Sequence, residues 1–105
     1  MWEFTGGAVQ AGEDSLNAGL RELKEELGVI ATDKDLKFIK TICIEQDSLL
    51  LDIFNMNKNL NLEDLILQAD EVVNAKKVTP AEIEKMKSEG LITHIDWKIY
   101  CALKE

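Results

Sequence analysis

The stretch GAVQAGEDSLNAGLRELKEELGV, residues 7–29, decides how this chain is read. Its second half predicts a helix from about Ser15 to Leu27. Leu16, Leu20, Leu23 and Leu27 recur at spacings of four, three and four, which makes one apolar stripe. Asp14 stands where a helix needs an N-cap acceptor, and Gly28 where a left-handed residue ends it. Gly19 in the helix interior costs up to about 1 kcal/mol against alanine, and close packing of the helix on a sheet is the expected reason. Glu22, Glu25 and Glu26 lie at i, i+3 and i+4, so their carboxylates share one face. Like charges this close repel, and they sit at the end of the helix that disfavours anions. A hard divalent cation relieves both problems, because Mg²⁺ prefers carboxylate oxygens and keeps several of its waters. Such cations would also draw phosphates to a protein that otherwise repels them. Taken alone, three acids on a helix read more readily as a solvated face.

The rest of the chain bounds the possibilities. A length of 105 residues fits one domain, 1–105, and buries roughly two-thirds of its unfolded surface. Hydrophobic residues make up 46% of it, a globular composition, and no apolar run approaches a bilayer span. With neither a basic stretch nor an apolar segment at its start, the expected location is cytoplasmic. A formal charge of −8 argues against a nucleic-acid surface. Cys43 and Cys101, set among apolar neighbours, are expected to be buried free thiols. His94, the single histidine, reads as a turn or capping residue.

Working outward, residues 1–5 (MWEFT) read as the end of a strand running into Gly6-Gly7. Residues 36–45 and 49–56 predict two strands joined at Gln46-Asp47-Ser48, with Leu36, Phe38, Ile42 and Ile44 in register and Ile39 out of it. Thr79, Pro80 and Glu82 form a capping-box start for a second helix ending near Glu89 and Gly90. Thr93 with Asp96 marks a third helix start, on which Trp97 and Tyr100 should pack inward.

The 7–29 segment has a further property. Gly7 is followed by five residues and Glu13; seven residues later stand Arg21-Glu22, then aliphatic Leu23, the pair Glu25-Glu26, Gly28 and aliphatic Val29. Every position agrees with the signature G-x5-E-x7-R-E-U-x-E-E-x-G-U, and the chain resembles the Nudix (MutT-like) hydrolase family. Seven fixed identities recur by chance roughly once in 10⁸ to 10⁹ starts, so the likeness is specific. Trp2 to Gly6 is similar to the family's W-x-F-P-G-G lead-in, with Thr5 where proline is usual.

The resemblance implies an α+β fold of α/β/α sandwich type, a mixed sheet with flanking helices. Several strands normally precede the box, so the chain is expected to lack the N-terminal strands and to pair as a homodimer that covers the exposed apolar surface. It implies a Mg²⁺- or Mn²⁺-dependent pyrophosphohydrolase acting on a nucleoside diphosphate linked to another moiety. Gly7, by its carbonyl, and Glu22, Glu25 and Glu26 would be metal ligands, and Glu22 is also the candidate base. Glu71 is the candidate ligand outside the box, with Asp70 the lesser choice. Arg21 would pair with Glu13 to fix the loop, since an arginine fork holds a carboxylate at two points. Gly28 would close the helix. The alternative is a catalytically impaired module that binds nucleotide or protein. The isopentenyl diphosphate isomerase branch ranks last, for want of its extra cysteine near the box.

Overall fold

The computed structural model of the chain describes residues 2–58, 60–68 and 75–104. The elements are α1 (Ser15–Leu27), β1 (Leu36–Ile44), β2 (Leu49–Met56), α2 (Pro80–Ser88) and α3 (His94–Lys104), with single 3₁₀ turns at Glu45–Asp47 and Leu62–Asp64. This is an α+β chain. The expected mixed sheet is represented among the described residues by the two-stranded β1-β2 hairpin and a separate parallel bridge between Trp2 and Ile92. The predicted lead-in strand is that one bridge. No helix among the described residues is long and apolar enough to cross a membrane.

The chain divides into two compact units, the first Met1–Phe4, Ile39–Ile53 and Lys77–Glu105, the second Thr5–Phe38 and Phe54–Lys76. The first unit has an apolar core. Ile44, Ile53, Met86, Ile92 and Tyr100 are buried, Ile44 almost completely. Its strand segments supply Ile44 and Ile53, its helices Met86 and Tyr100. α2 starts at the predicted capping box, in which Thr79 accepts from the Glu82 backbone and Glu82 accepts from the Thr79 backbone. That reciprocal pair satisfies two amides the helix leaves open. α3 starts on Thr93, whose hydroxyl accepts from the Asp96 backbone and donates to the Asp96 carboxylate. Asp96 is itself buried, and its other oxygen accepts from the Phe4 backbone at 3.1 Å. A buried carboxylate must have its acceptors filled, and here helix start and lead-in segment fill them together. The Trp2 backbone also donates to Leu91 at 2.8 Å. His94 meets Asp47 at 2.9 Å, so it ties the hairpin turn to the start of α3.

One expectation for this unit is corrected. Cys43 and Cys101 are free but exposed, because alternation along β1 buries Ile42 and Ile44 more than the residue between them, and Cys101 follows the buried Tyr100 on α3. On α3, Tyr100 is buried, and the half-buried Trp97 packs against it with ring centroids 5.3 Å apart.

The second unit carries α1 and the base of the hairpin. α1 runs from Ser15 to Leu27 as predicted, with the Asp14 carboxylate accepting from the Asn17 backbone. Among its described residues the buried ones are Ala18 on α1 and Val29 just after it. The leucine stripe is half-buried. Phe38, expected inside, is 52% exposed and instead meets Phe54 edge-on at 5.7 Å. Gly19 is not tightly packed either, since a methyl group there would lie 3.6 Å from Leu36, an ordinary contact.

Candidate active site

The 7–13 loop is anchored by a single side chain. All five N–H donors of the Arg21 guanidinium are engaged. Nε and Nη2 donate to the two oxygens of Glu13 at 3.2 and 2.8 Å. Nη2 also donates to the Ala8 carbonyl at 2.9 Å. Nη1 donates to Glu22 at 2.8 Å and to Glu25 at 3.2 Å. Glu13 accepts in addition from the Gln10 backbone at 2.8 Å, so the loop closes on its own carboxylate. These contacts hold the Glu13 carboxyl below its ordinary pKa, the Arg21 hydrogen bond first and the Gln10 amide second. They raise the Arg21 guanidinium further above its already high value, chiefly through Glu13. The expected Arg21–Glu13 pairing is present, in fork geometry. The additional contacts to Glu22 and Glu25 were not anticipated, although Arg21 and Glu25 stand at i and i+4, the spacing that brings helical neighbours together.

Gly7 lies directly over Glu22. A Cβ at position 7 would fall 2.3 Å from the Glu22 carboxyl carbon and from one of its oxygens, far inside contact distance. Only glycine lets the loop cross there without displacing the carboxylate that Arg21 holds. Glu22 is thereby half-buried, whereas the Glu25 side chain is half exposed. Ala18 lies one turn before Arg21 and Glu22 on the same face and is buried, so this face of α1 is not simply solvated.

The far end of α1 is closed with equal care. Gly28 has φ 68°, and its N–H bonds back to Leu23 and Lys24. A Cβ there would come 2.7 Å from Ile66 Cβ. The Ile66 backbone donates to Leu27 at 2.8 Å and the Gln68 backbone to Glu26 at 3.0 Å, so an extended segment caps carbonyls that the helix cannot satisfy itself. Nothing in the composition of residues 65–68 signals that docking, because it uses backbone groups alone.

Glu22, Glu25 and Glu26 thus fall on the acidic side of one helix end, with Gly7 against the first of them. Among the described residues, no group of three His, Cys, Asp or Glu side chains is gathered closely enough to hold a metal ion. Glu22 and Glu25 turn to the guanidinium. Glu71 and Asp70 lie outside the described residues. The donor types still suit a hard divalent cation, since Glu22, Glu25 and Glu26 offer only carboxylate oxygen. Gly7 runs so close to Glu22 that any side chain at position 7 would displace that carboxylate.

Comparison with known proteins agrees with the segment. The family model described as NUDIX domain matches residues 1–100. A protein of Listeria monocytogenes serovar 1/2a (strain ATCC BAA-679 / EGD-e), named as an uncharacterised Nudix hydrolase, is 32% identical over 90 residues, 85% of this chain and 52% of the relative. A protein of Listeria innocua serovar 6a (strain ATCC BAA-680 / CLIP 11262), named likewise, is 31% identical over 90 residues with the same shares. The chain spans about half the length of the curated relatives it matches. No solved structure matches it.

Proposed function

Because this chain belongs to the Nudix family, we propose that it is a divalent-cation-dependent pyrophosphohydrolase, cleaving a nucleoside diphosphate linked to a second moiety. The observation that carries the reading is the joint placement of Gly7, Arg21 and Glu22, in which a glycine crossing and an arginine fork together position one carboxylate.

The Glu22, Glu25 and Glu26 carboxylates and the Gly7 carbonyl would hold Mg²⁺ or Mn²⁺, and Glu71 is a further candidate. Such ions, when bound, offset the charge of the diphosphate and orient it for in-line displacement. In this scheme Glu22 would take a proton from water as the water oxygen attacks phosphorus. The bridging P–O bond breaks, and the leaving phosphate departs with that oxygen. Arg21 and Glu13 do not enter the reaction in this scheme; they keep the Gly7 backbone and the Glu22 carboxylate in register. The requirement for accurate placement is stringent, since small displacements of catalytic groups cost large factors in rate.

Product release from a panel of nucleoside triphosphates, sugar nucleotides and dinucleoside polyphosphates, with and without Mg²⁺, tests the proposal. Glu25→Gln and Glu26→Gln should abolish the metal-dependent activity while leaving the circular dichroism spectrum unchanged. Equal activity in wild type and variants would end the enzyme reading. One observation favours the second reading, a catalytically impaired nucleotide- or protein-binding module: the Glu22 and Glu25 carboxylates are already committed to Arg21. Nucleotide binding without turnover in the same panel would select it.

The proposal includes a cytoplasmic homodimer. Leu50 and Ile66, in different units, are each 73% exposed, single apolar side chains that a partner copy would cover. Light scattering that returned a monomer would remove the dimer from the scheme.

A further inference from the structure

We infer that Arg21 is a positioning residue with two separable sides, one that fixes the loop and one that competes with a divalent cation for Glu22 and Glu25. This inference rests on the reading of Glu22 and Glu25 as metal ligands.

The division follows the nitrogens of the guanidinium. Nε and Nη2 face Glu13 and the Ala8 carbonyl, and neither acceptor belongs to the ligand set. Nη1 alone faces the ligand set, and both its protons are used there. The fork is planar and rigid, so the Glu13 side fixes where Nη1 points. Nη1 therefore stays over Glu22 and Glu25 without any bond of its own being required to aim it. A cation that takes Glu22 or Glu25 through the oxygen bonded to Nη1 must first displace that hydrogen bond. It must also accept a unit of positive charge nearby, because Arg21 cannot deprotonate. The internal cation thus raises the metal concentration needed for loading. In exchange it holds two mutually repelling carboxylates in place, where they would otherwise spread apart. Lysine could not serve both sides, since it lacks the second and third nitrogens of the fork.

The Glu13 side is structural and the Nη1 side competitive, so the two make opposite predictions for metal affinity. Mn²⁺ binding to the full chain, followed by electron paramagnetic resonance, separates them. Arg21→Gln should bind Mn²⁺ about three- to tenfold more tightly than wild type, the scale expected for removing two partly exposed ion pairs. Glu13→Gln, which loosens the loop but leaves Arg21 and both its Nη1 partners, should bind Mn²⁺ more weakly. A purely structural Arg21 would move both variants toward weaker binding, and that result overturns the inference. Because Arg21→Gln also frees the loop, a second measurement uses the unmodified protein. In its arginine side-chain NMR spectrum, Mg²⁺ should release the Nη1 protons to faster exchange while the Nε–H, held by Glu13, keeps its protection. Unchanged Nη1 protection on saturation with Mg²⁺ overturns the inference as well. Wild type without any saturable Mn²⁺ site would instead remove the underlying assignment of the glutamates, and this inference with it.

Discussion

Ile39–Ile53 with Lys77–Glu105 is held around apolar side chains, whereas Thr5–Phe38 with Phe54–Lys76 buries only Ala18 and Val29 among its described apolar residues and leans on polar contacts. In the first, burial of Ile44, Ile53, Met86, Ile92 and Tyr100 supplies a cohesion that depends little on charge. In the second, the decisive contacts are the five bonds of Arg21, the two caps of α1 and the backbone docking of residues 66–68. Apolar packing is hard to rearrange without leaving a void. Hydrogen bonds to a half-exposed carboxylate can be exchanged for a ligand at small net cost. The region that carries the proposed site is therefore the one whose cohesion can be traded, whereas the other is held by packing that cannot.

The contrast is most severely tested in the apolar unit. Ile44→Ala removes its most completely buried large side chain and should cost about 2–5 kcal/mol in denaturant unfolding. A loss under 1 kcal/mol would mean that the core does not carry that unit. Next in size, Gly28→Ala forces alanine into a left-handed conformation and drives its Cβ into Ile66. It should cost about 1–2 kcal/mol and speed amide exchange at the end of α1, or the capping account is wrong.

A local effect follows from Glu13. Its folded-state pKa is depressed below the ordinary 4.5 by Arg21 and the Gln10 amide. The stability it contributes is therefore present above about pH 4.5 and is lost as pH falls through the lower folded value. The protection factor of the Gln10 amide, its exchange relative to an unstructured amide at the same pH, should fall in that acid range, and the Glu13→Gln protein should lose this change. A protection factor that is flat in pH would refute the clamp. The smallest change has the opposite sign. Gly19→Ala should stabilise the protein by up to about 1 kcal/mol, because a methyl group meets only Leu36 at 3.6 Å. A loss of stability there would show that α1 needs closer packing than the structure has.

Helix positions were largely legible because local chemistry encodes them. The Asp14 cap, the Thr79–Glu82 box and the left-handed Gly28 act within a few residues of themselves, and each stands where the pattern placed it. The hairpin was legible for the same reason. Burial was less so. Phe38 and the two cysteines obey the strand and helix periods but face solvent, since a period names a face without saying what covers it. The 66–68 docking and the Asp96 reach to Phe4 join backbone to distant groups and leave no residue-type signal.

Residues 7–29 by themselves determined the family, the helix and which acids share a face, because helical spacing and fixed glycines are properties of a short segment. Only the folded chain decided that Arg21 divides its nitrogens between the loop and the acids, and that Gly7 lies over Glu22. Those facts depend on how the loop returns across the helix. Many loop paths are compatible with one spacing, and only three-dimensional contact selects among them.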